Sequence, residues 1–438
     1  MRSPSQSGAW LDARPTGGGS GACAGRTRQQ HDWLFSQGDP AVKVLHLAPT
    51  PFFSDRGCHI RILSILDAIQ HSGGQNILCT YPLGRDLPGI DIRRIGAVIG
   101  YEKTEAGPQK GKIIADLKLL FLGLQAAFKE RPDVLHAHLH EGVLIGWLIR
   151  MLLFWRRIPL VADLQGGLVG ELADHGFFAR GGFFSRMLRL AFTAVEALIL
   201  KLPAHSFCSS GNSEKIFRED YGLSNRRLTR LDDRVNLDAY DPKNVHTADV
   251  DIPGNTFVVA YSGSLLPIKG LDVLQRIILS VSKRRTDIIF LLIGYPTDLI
   301  STFIEEHALT DRVRIVGRVA FEQLPSYLLL ANVGVEPKRS ASGEGSGKLL
   351  HYMAAGLALA AFPTPHNREF AGEQALARDD TPEALAAHIE TLADDPLRCV
   401  RIGQENREKI APYSLQSGGR VITQVYEQLG ITTPTLSS

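Results

Sequence analysis

Short apolar runs alternate with helical stretches along this chain, and after one polar interval the alternation starts again. Few folds accept that pattern. Strands separated by helices build parallel sheets, because a parallel pair needs a crossover connection of helical length. The first series opens with VKVLHLA from Val42 to Ala48, then a loop PTPFFSDRG and a helical stretch from Cys58 to Gln70. NILCT, DVLHAH, PLVADL and SFCSS follow as further strands. The polar, proline-bearing stretch from Asp241 to Gly254 reads as a linker, and TFVVAYSG, IIFLLIG, RVRIVG, NVGVEP and LALAAF then restart the series. Two βαβ domains are expected, with a cleft between them at the carboxyl ends of their strands. After Leu376, EALAAHIETLADD and ITQVYEQL read as helices, the last one packing back across the hinge. The expected layout is an extension at 1–40, a first domain at 41–240, a second at 241–415, and a returning helix with its tail at 416–438.

A length of 438 residues suits roughly two to three domains. A charged fraction of 21% and a formal net charge of +2 argue against a dedicated nucleic-acid binder. The five cysteines are scattered with no CxxC pair, so neither a disulfide framework nor a zinc site is indicated, and a reducing cytoplasm is expected. Residues 1–40, with GGGSGACAG at their centre, lack the apolar stretch of a secretory signal and read as a disordered extension or a misplaced start. No segment reaches the ~18 uncharged apolar residues that span a bilayer. GVLIGWLIRMLLFWRR comes nearest, interrupted by Arg150 and closed by Arg156 and Arg157, and reads as a half-buried helix. In GGFFSRMLRLAFTAVEALILKL, Phe184, Leu188, Ala191, Val195, Leu198 and Leu202 form one stripe, with Arg186, Arg189, Thr193 and Glu196 off it. Packing of that stripe on the protein's own core is the expectation. Resting on a membrane surface is the other use of such a helix.

The segment SGEGSGKLLHYMAAGLALAA, Ser342 to Ala361, reads as a glycine loop entering a helix and then a buried strand. Gly343, Gly345 and Gly347 allow close approach of a ligand, Ser346 is a good N-cap, and the first free amides of the helix face an anion. Lys348 adds a full charge there. Leu349, Leu350, Met353 and Ala354 give the helix a core face, and Gly356 ends it. A carboxylate at Glu344 is unwelcome beside phosphate but suits sugar hydroxyls, so the loop points to a sugar nucleotide.

The order of segments resembles the retaining glycosyltransferases of family 4, from about Val42 to about Leu429. The resemblance implies an α/β protein of GT-B fold, two facing Rossmann-like doubly wound domains with a cleft between them. YSGSLLPIKGLDVL is similar to the family's glycine-arginine then lysine-glycine loop, whose cations bind the donor's pyrophosphate; Lys269 keeps its place and Ser264 stands where the arginine would be. The family carries two glutamates eight positions apart. Here His351 holds the second place, and Gly343, followed by Glu344, the first. The resemblance gives Glu344 the donor-sugar hydroxyls. His351 either meets the ribose, since a neutral imidazole offers one donor and one acceptor, or faces solvent on its helix.

DVLHAHLHEG matches the family's strand that delivers a histidine near the transferring carbon, which assigns that role to His138. His136 shares a strand face with it, and His140 is expected in the following loop. In DRGCHIRI, Gly57 opens a helix toward the donor phosphates and Arg56 supplies the charge that Ser264 lacks. By the resemblance, ADLQGGLVGELADHGF lies where acceptor-binding residues project, which assigns Asp163 and Gln165 to the acceptor side with Glu171 beside them; His140, close behind His138, is assigned there too.

The implied activity is transfer of a sugar from a nucleotide-sugar donor to a polysaccharide, glycolipid or small-molecule acceptor, with retention and with neither metal nor other cofactor. Lys269 and Lys348 would stabilise the departing diphosphate. The basic amphipathic stretches leave open a lipid-linked acceptor at the inner face of the cytoplasmic membrane. Two other readings stand beside this one. A UDP-N-acetylglucosamine 2-epimerase-like enzyme would need acid and base carboxylates in the cleft, and a non-catalytic sugar-nucleotide-binding protein would account for Ser264 and His351. Ribose binding through His351 would weaken from roughly pH 8 to about pH 5.5 as the ring protonates.

Overall fold

The computed structural model describes residues 42–102, 110–174, 176–178, 181–254, 256–338 and 347–433. The first series of strands is β1 (Lys43–Ala48), β2 (Gln75–Thr80), β3 (Asp91–Arg94), β4 (Val134–His138), β5 (Leu160–Leu164), β6 (His205–Cys208) and β7 (Leu228–Arg230). They form a parallel sheet in the order β3-β2-β1-β4-β5-β6-β7. Its helices are α1 (Gly57–His71), α2 (Lys112–Glu130), α3 (Leu139–Leu152), α4 (Leu168–Asp174), α5 (Gly182–Ile199) and α6 (Gly211–Glu219).

The second series is β8 (Phe257–Ser262), β9 (Ile288–Ile293), β10 (Val313–Gly317), β11 (Val333–Glu336) and β12 (Ala358–Ala361), in the order β10-β9-β8-β11-β12. Its helices are α7 (Leu271–Arg284), α8 (Asp298–Glu306), α9 (Leu324–Leu328), α10 (Gly347–Ala354), α11 (Pro365–Ala371), α12 (Pro382–Ala393) and α13 (Pro396–Lys409). Each sheet reverses its strand order once, between β1 and β4 and between β8 and β11. A crevice opens at such a switch point, outside the carboxyl ends of the strands.

The strands read as unbroken apolar runs because both faces are covered; β9, IIFLLI, is buried along its whole length. β3 and β7, with the sequences DIRR and LTR, are short edge strands with no apolar run to announce them. Residues 241–254 hold turns and coil. The last helix, α14 (Leu415–Gln428), returns to the first sheet, where Ile422, Val425 and Tyr426 pack with Val44, Ile65 and Val161. It begins one residue before the expected boundary at 416.

The stripe expected to hold α5 on the core faces outward instead. Phe184 is 77% and Leu198 61% exposed, whereas Glu196 and Ile199 are buried. The reason lies in Glu196, whose carboxylate accepts the backbone amides of Leu168 and Val169 at 2.8 and 3.0 Å and the Tyr221 hydroxyl at 2.7 Å. A negative charge at the amino terminus of α4 meets the orphan amides and the positive end of the helix dipole. This bond orients α5. GVLIGWLIRMLLFWRR folds as α3 and a short 3₁₀ turn, Phe154–Arg156, with Val143, Ile145 and Ile149 buried and Leu148 and Met151 exposed.

Candidate functional site

A cavity of about 240 Å³ lies between the two sheets at the carboxyl ends of their strands. The first half of the chain supplies Arg56 and Gly57 at the start of α1, Arg61 one turn further, Gln165 after β5, and Asp233 and Arg234 beyond β7. The second half supplies Gly263 and Ser264 after β8, Lys269, Gly294 after β9, Arg318 after β10, Lys338 after β11, and Gly347, Lys348 and His351 on α10. Among these described lining residues only Asp55 and Asp233 are acidic, against seven arginines and lysines. An anion is the fitting occupant.

Close backbone approaches shape the second wall. A Cβ at Gly294 would lie 1.8 Å from the Gly263 carbonyl oxygen, so the loops after β8 and β9 can touch only through glycine. A Cβ at Gly347 would lie 2.5 Å from Asp233 Oδ2, and its absence brings the two walls together at the mouth of α10. Lys348 is held by two partners. Its Nζ sits 4.3 Å from the Tyr261 ring centroid and 3.5 Å from Oε1 of the buried Glu336. Lys269 ends a 3₁₀ turn, Pro267–Lys269, that Gly270 closes in the left-handed region at φ 88°.

Several expected residues sit elsewhere than their motifs imply. His138 does not reach the cavity: its ring is fully buried, hydrogen-bonded through Nε2 to His46 Nδ1 at 3.0 Å and through Nδ1 to Asp163 Oδ2 at 3.3 Å. It shares a face with His136 as its spacing requires, the rings stacking at 5.0 Å, and Tyr426 of α14 bonds to His136 at 2.8 Å. Asp163 is not an exposed acceptor ligand either. Arg61 holds it through Nη2 at 2.6 Å and also binds Asp233 at 2.9 Å and the Leu231 carbonyl at 2.9 Å. Burial alone would raise the Asp163 pKa, but the Arg61 charge and the His138 bond outweigh it and hold the carboxyl well below its usual range. In this stack His136 and His46 resist protonation. Burial and then the His138 charge push His136 down to about 3.

His140 lies in the first turn of α3 rather than in a loop, because Leu139 takes a positive φ of 62° and the helix starts at once. Its Nε2 is 3.5 Å from Glu196 Oε1, beneath α5 and off the cavity. Glu171 is exposed on α4, also off the cavity. His351 does not face solvent: it is buried, lines the cavity, and bonds through Nδ1 to the Tyr240 hydroxyl at 2.9 Å. Burial pushes its pKa down to about 4, so the ring stays neutral across the range in which ribose binding was expected to weaken. Gly343, Glu344, Gly345 and Ser346 lie outside the described residues.

Arg61, Asp233, Arg234, Arg318 and Lys338 escape motif reading. Arg318 and Lys338 had a signal, since they stand one and two residues past the ends of β10 and β11, at the edge where ligands bind. Arg61 interrupts the apolar run IRILSIL of α1, which is a signal of its own. Among the described residues no three His, Cys, Asp or Glu side chains are arranged to hold a metal ion.

The family described as glycosyl transferases group 1 matches residues 256–395, which is the second sheet with α7 to α12. Sucrose-phosphate synthase from Thermosynechococcus elongatus superposes with a TM-score of 0.71 at 18% identity, over 89% of this chain and 99% of that one. The fold is GT-B. HepE from Anabaena, solved with UDP-glucose, superposes at 0.65 and 15% identity over 89% and 99% of the two chains. WaaG, a glycosyltransferase involved in lipopolysaccharide biosynthesis, superposes at 0.62 and 14% identity over 89% and 100%. Nothing among curated protein sequences matches the chain.

In this GT-B cleft the two sheet edges face one another across the cavity, and contacts join them at one rim. Arg85 bonds Glu322 at 2.8 Å, the Phe321 amide donates to Asp55 at 3.0 Å, and the Phe53 and Phe321 rings lie 6.2 Å apart.

Proposed function

We propose that this protein is a glycosyltransferase that takes a sugar from a nucleoside-diphosphate donor and passes it, with retention of configuration, to a hydroxyl of a carbohydrate or lipid-linked acceptor. The observation that carries this is the cationic second wall. Lys269 and Lys348 line the cavity beside the closely packed loops of Gly263 and Gly294, where a pyrophosphate finds fixed charges and accessible backbone. The group 1 match over the same residues and the binding of UDP-glucose by HepE, a protein of the same fold, support the reading.

In the reaction the bond from the anomeric carbon to the phosphate oxygen breaks, and a bond from the acceptor oxygen forms on the same face of the sugar. Negative charge builds on the departing diphosphate. Lys348, fixed by Tyr261 and Glu336, and Lys269 stabilise that charge without having to move. The acceptor proton passes to the leaving phosphate, so no strong protein base is needed. Arg56 and Arg318 supply the charge that Ser264 does not, and Glu344 takes the donor-sugar hydroxyls. With Nδ1 of His351 bound to Tyr240, Nε2 is the atom that meets the ribose. Gln165 serves the acceptor side of the cavity. His138 and Asp163 act as positioning residues that fix Arg61. No metal takes part, and the reaction belongs in the cytoplasm.

A thermal-shift screen over UDP-, GDP- and ADP-sugars is the test. One class is expected to raise Tm by roughly a few degrees at saturation, and the purified protein is expected to release sugar from that donor at the same rate with and without a chelator. Absence of both a shift and sugar release would overturn the reading.

A further inference from the structure

The outer surface of the first sheet's helices is apolar where solvent should be. On α2, Ile113 is 74% and Phe121 68% exposed, with Leu117 between them on the same face at helical spacing. α3 packs beside it and exposes Leu148 and Met151, and the turn that follows exposes Phe154 and Trp155. α5, on the other side of α3, is buried only at its carboxyl end and exposes Phe183, Phe184, Met187 and Leu190. Three neighbouring helices thus present one apolar face. Soluble surfaces rarely carry so much contiguous apolar area without a partner.

The charges on these helices are sorted by sign. The acidic residues of α2, α3 and α5 are Asp116, Glu130, Glu141 and Glu196, and all are bonded to protein partners: Tyr81, Arg93, Lys112, and the α4 amides with Tyr221, respectively. Lys118, Lys129, Arg186 and Arg189 remain on the exposed surface, and Arg157 follows just after the turn. A second copy of this chain set face to face would bring cations against cations. An anionic surface would not. Among the described residues no helix is long and apolar enough to cross a membrane, so the occupant is one on which the helices lie flat.

We propose that the α2, α3 and α5 face docks on an anionic lipid bilayer, apolar side chains entering the acyl boundary and the basic residues meeting the headgroups. Glu196 anchors α5 beside His140 and Leu168, just past the carboxyl ends of β4 and β5, the edge on which Gln165 faces the cavity. A docked protein therefore holds its cleft next to the bilayer, where an acceptor carried on a lipid is within reach. That last step rests on the glycosyltransferase reading, whereas bilayer binding is measured with neither donor nor acceptor.

The experiment sediments the full chain with vesicles of phosphatidylcholine, alone or with roughly a third phosphatidylglycerol. The protein is expected to pellet with the anionic vesicles, far less with the zwitterionic ones, and to be released by salt. Phe183→Asp combined with Phe184→Asp should lower vesicle affinity by roughly tenfold or more at unchanged Tm, because both rings are already in solvent. Brominated lipid provides a measurement on the unmodified chain: it should quench tryptophan fluorescence, and Trp155→Phe should remove most of that quenching. The proposal falls if the protein stays in the supernatant with both vesicles, or if the double variant binds as the parent does. A concentration-dependent dimer abolished by the double variant, with no vesicle binding, would give the face to a second copy instead.

Discussion

On the first wall of the cleft the charges around Arg61 are bonded to one another behind the cavity; on the second, Lys348 is held by Tyr261 and Glu336 at the cavity itself. Arg61 is 3% exposed and lies among Asp163, Asp233 and the Leu231 carbonyl, with His138 behind Asp163. Lys348 is 19% exposed, and its ammonium reaches the cavity from between Tyr261 and Glu336. Both walls stand at switch points of parallel sheets, so topology does not separate them. Burial does. A charge that has lost its water must be paired, and a paired charge holds shape, whereas a charge at the rim of a cavity keeps the capacity to meet a ligand. The Arg61 network of the first wall should therefore answer mainly to stability measurements and the lysines of the second mainly to kinetics.

The largest effect is expected from Asp163→Ala, which leaves the buried Arg61 without its main partner. We expect a loss of about 3–5 kcal/mol in chemical denaturation, the cost of removing one partner of a buried ion pair, at the lower end because Asp233 remains. A loss under about 1 kcal/mol would remove the structural half of the comparison. On the other wall, Lys269→Ala should lower kcat by roughly a hundredfold or more, about 2.7 kcal/mol of transition-state stabilisation, with Tm little changed. Lys348→Ala should match it in kcat but also lower Tm, because Glu336 behind it is buried and loses a cation at 3.5 Å. Unchanged turnover in both lysine variants would undo the catalytic half.

What the sequence made legible follows the same division. Arg56, Gly57, Ser264, Lys269, Gly347, Lys348 and His351 line the cavity; Gly347 and Lys348 follow from local logic, a glycine loop entering a helix, and the others from the resemblance of their segments to the family's loops and helix. The twin series of strands was equally local, since every strand except the edges β3 and β7 carries its own apolar run. Depth was not. Whether a strand's last histidine or aspartate opens into a cleft or closes behind it depends on what arrives from elsewhere, and Arg61 reaches Asp163 across 102 positions of sequence. Tyr240 meets His351 across 111 positions. The outward turn of α5 has the same origin, because its amphipathic pattern is correct and the amides that orient it through Glu196 belong to α4.

Acid sharpens the contrast by a smaller amount. An unfolded histidine takes its proton near pH 6.5, but folded His351 and His136 do so only at about 4 and about 3, and His46 is lowered as well, by burial and then by its two histidine neighbours. Between these values the unfolded state binds more protons. Stability is therefore complete above about pH 6.5 and declines as the pH falls toward 4, by on the order of 1 kcal/mol per pH unit for each such histidine. Melting curves across that range should show the decline. His351→Gln should flatten it by one histidine's share, and a slope identical to the parent's would mean that the ring is accessible to protons in the fold. Donor affinity, by contrast, should stay level from roughly pH 8 to about pH 5.5, because the ring on the second wall does not change charge there.

The smallest effect should come from the rim where the walls touch. Arg85 pairs with Glu322 at 2.8 Å and with Asp55 at 2.9 Å, and its guanidinium lies 4.9 Å from the Phe53 ring centroid. The arginine is 38% and the glutamate 52% exposed, so water and salt already screen the pair. Glu322→Gln should then cost no more than about 1 kcal/mol at low salt and almost nothing at high salt. Asp55 still accepts the Phe321 amide at 3.0 Å in that variant, so the contact between the halves persists. A cost above about 2 kcal/mol that survives high salt would mean that an exposed rim, rather than the buried Arg61 network, carries the stability of the cleft. Charge exposure would then no longer separate the structural wall from the catalytic one.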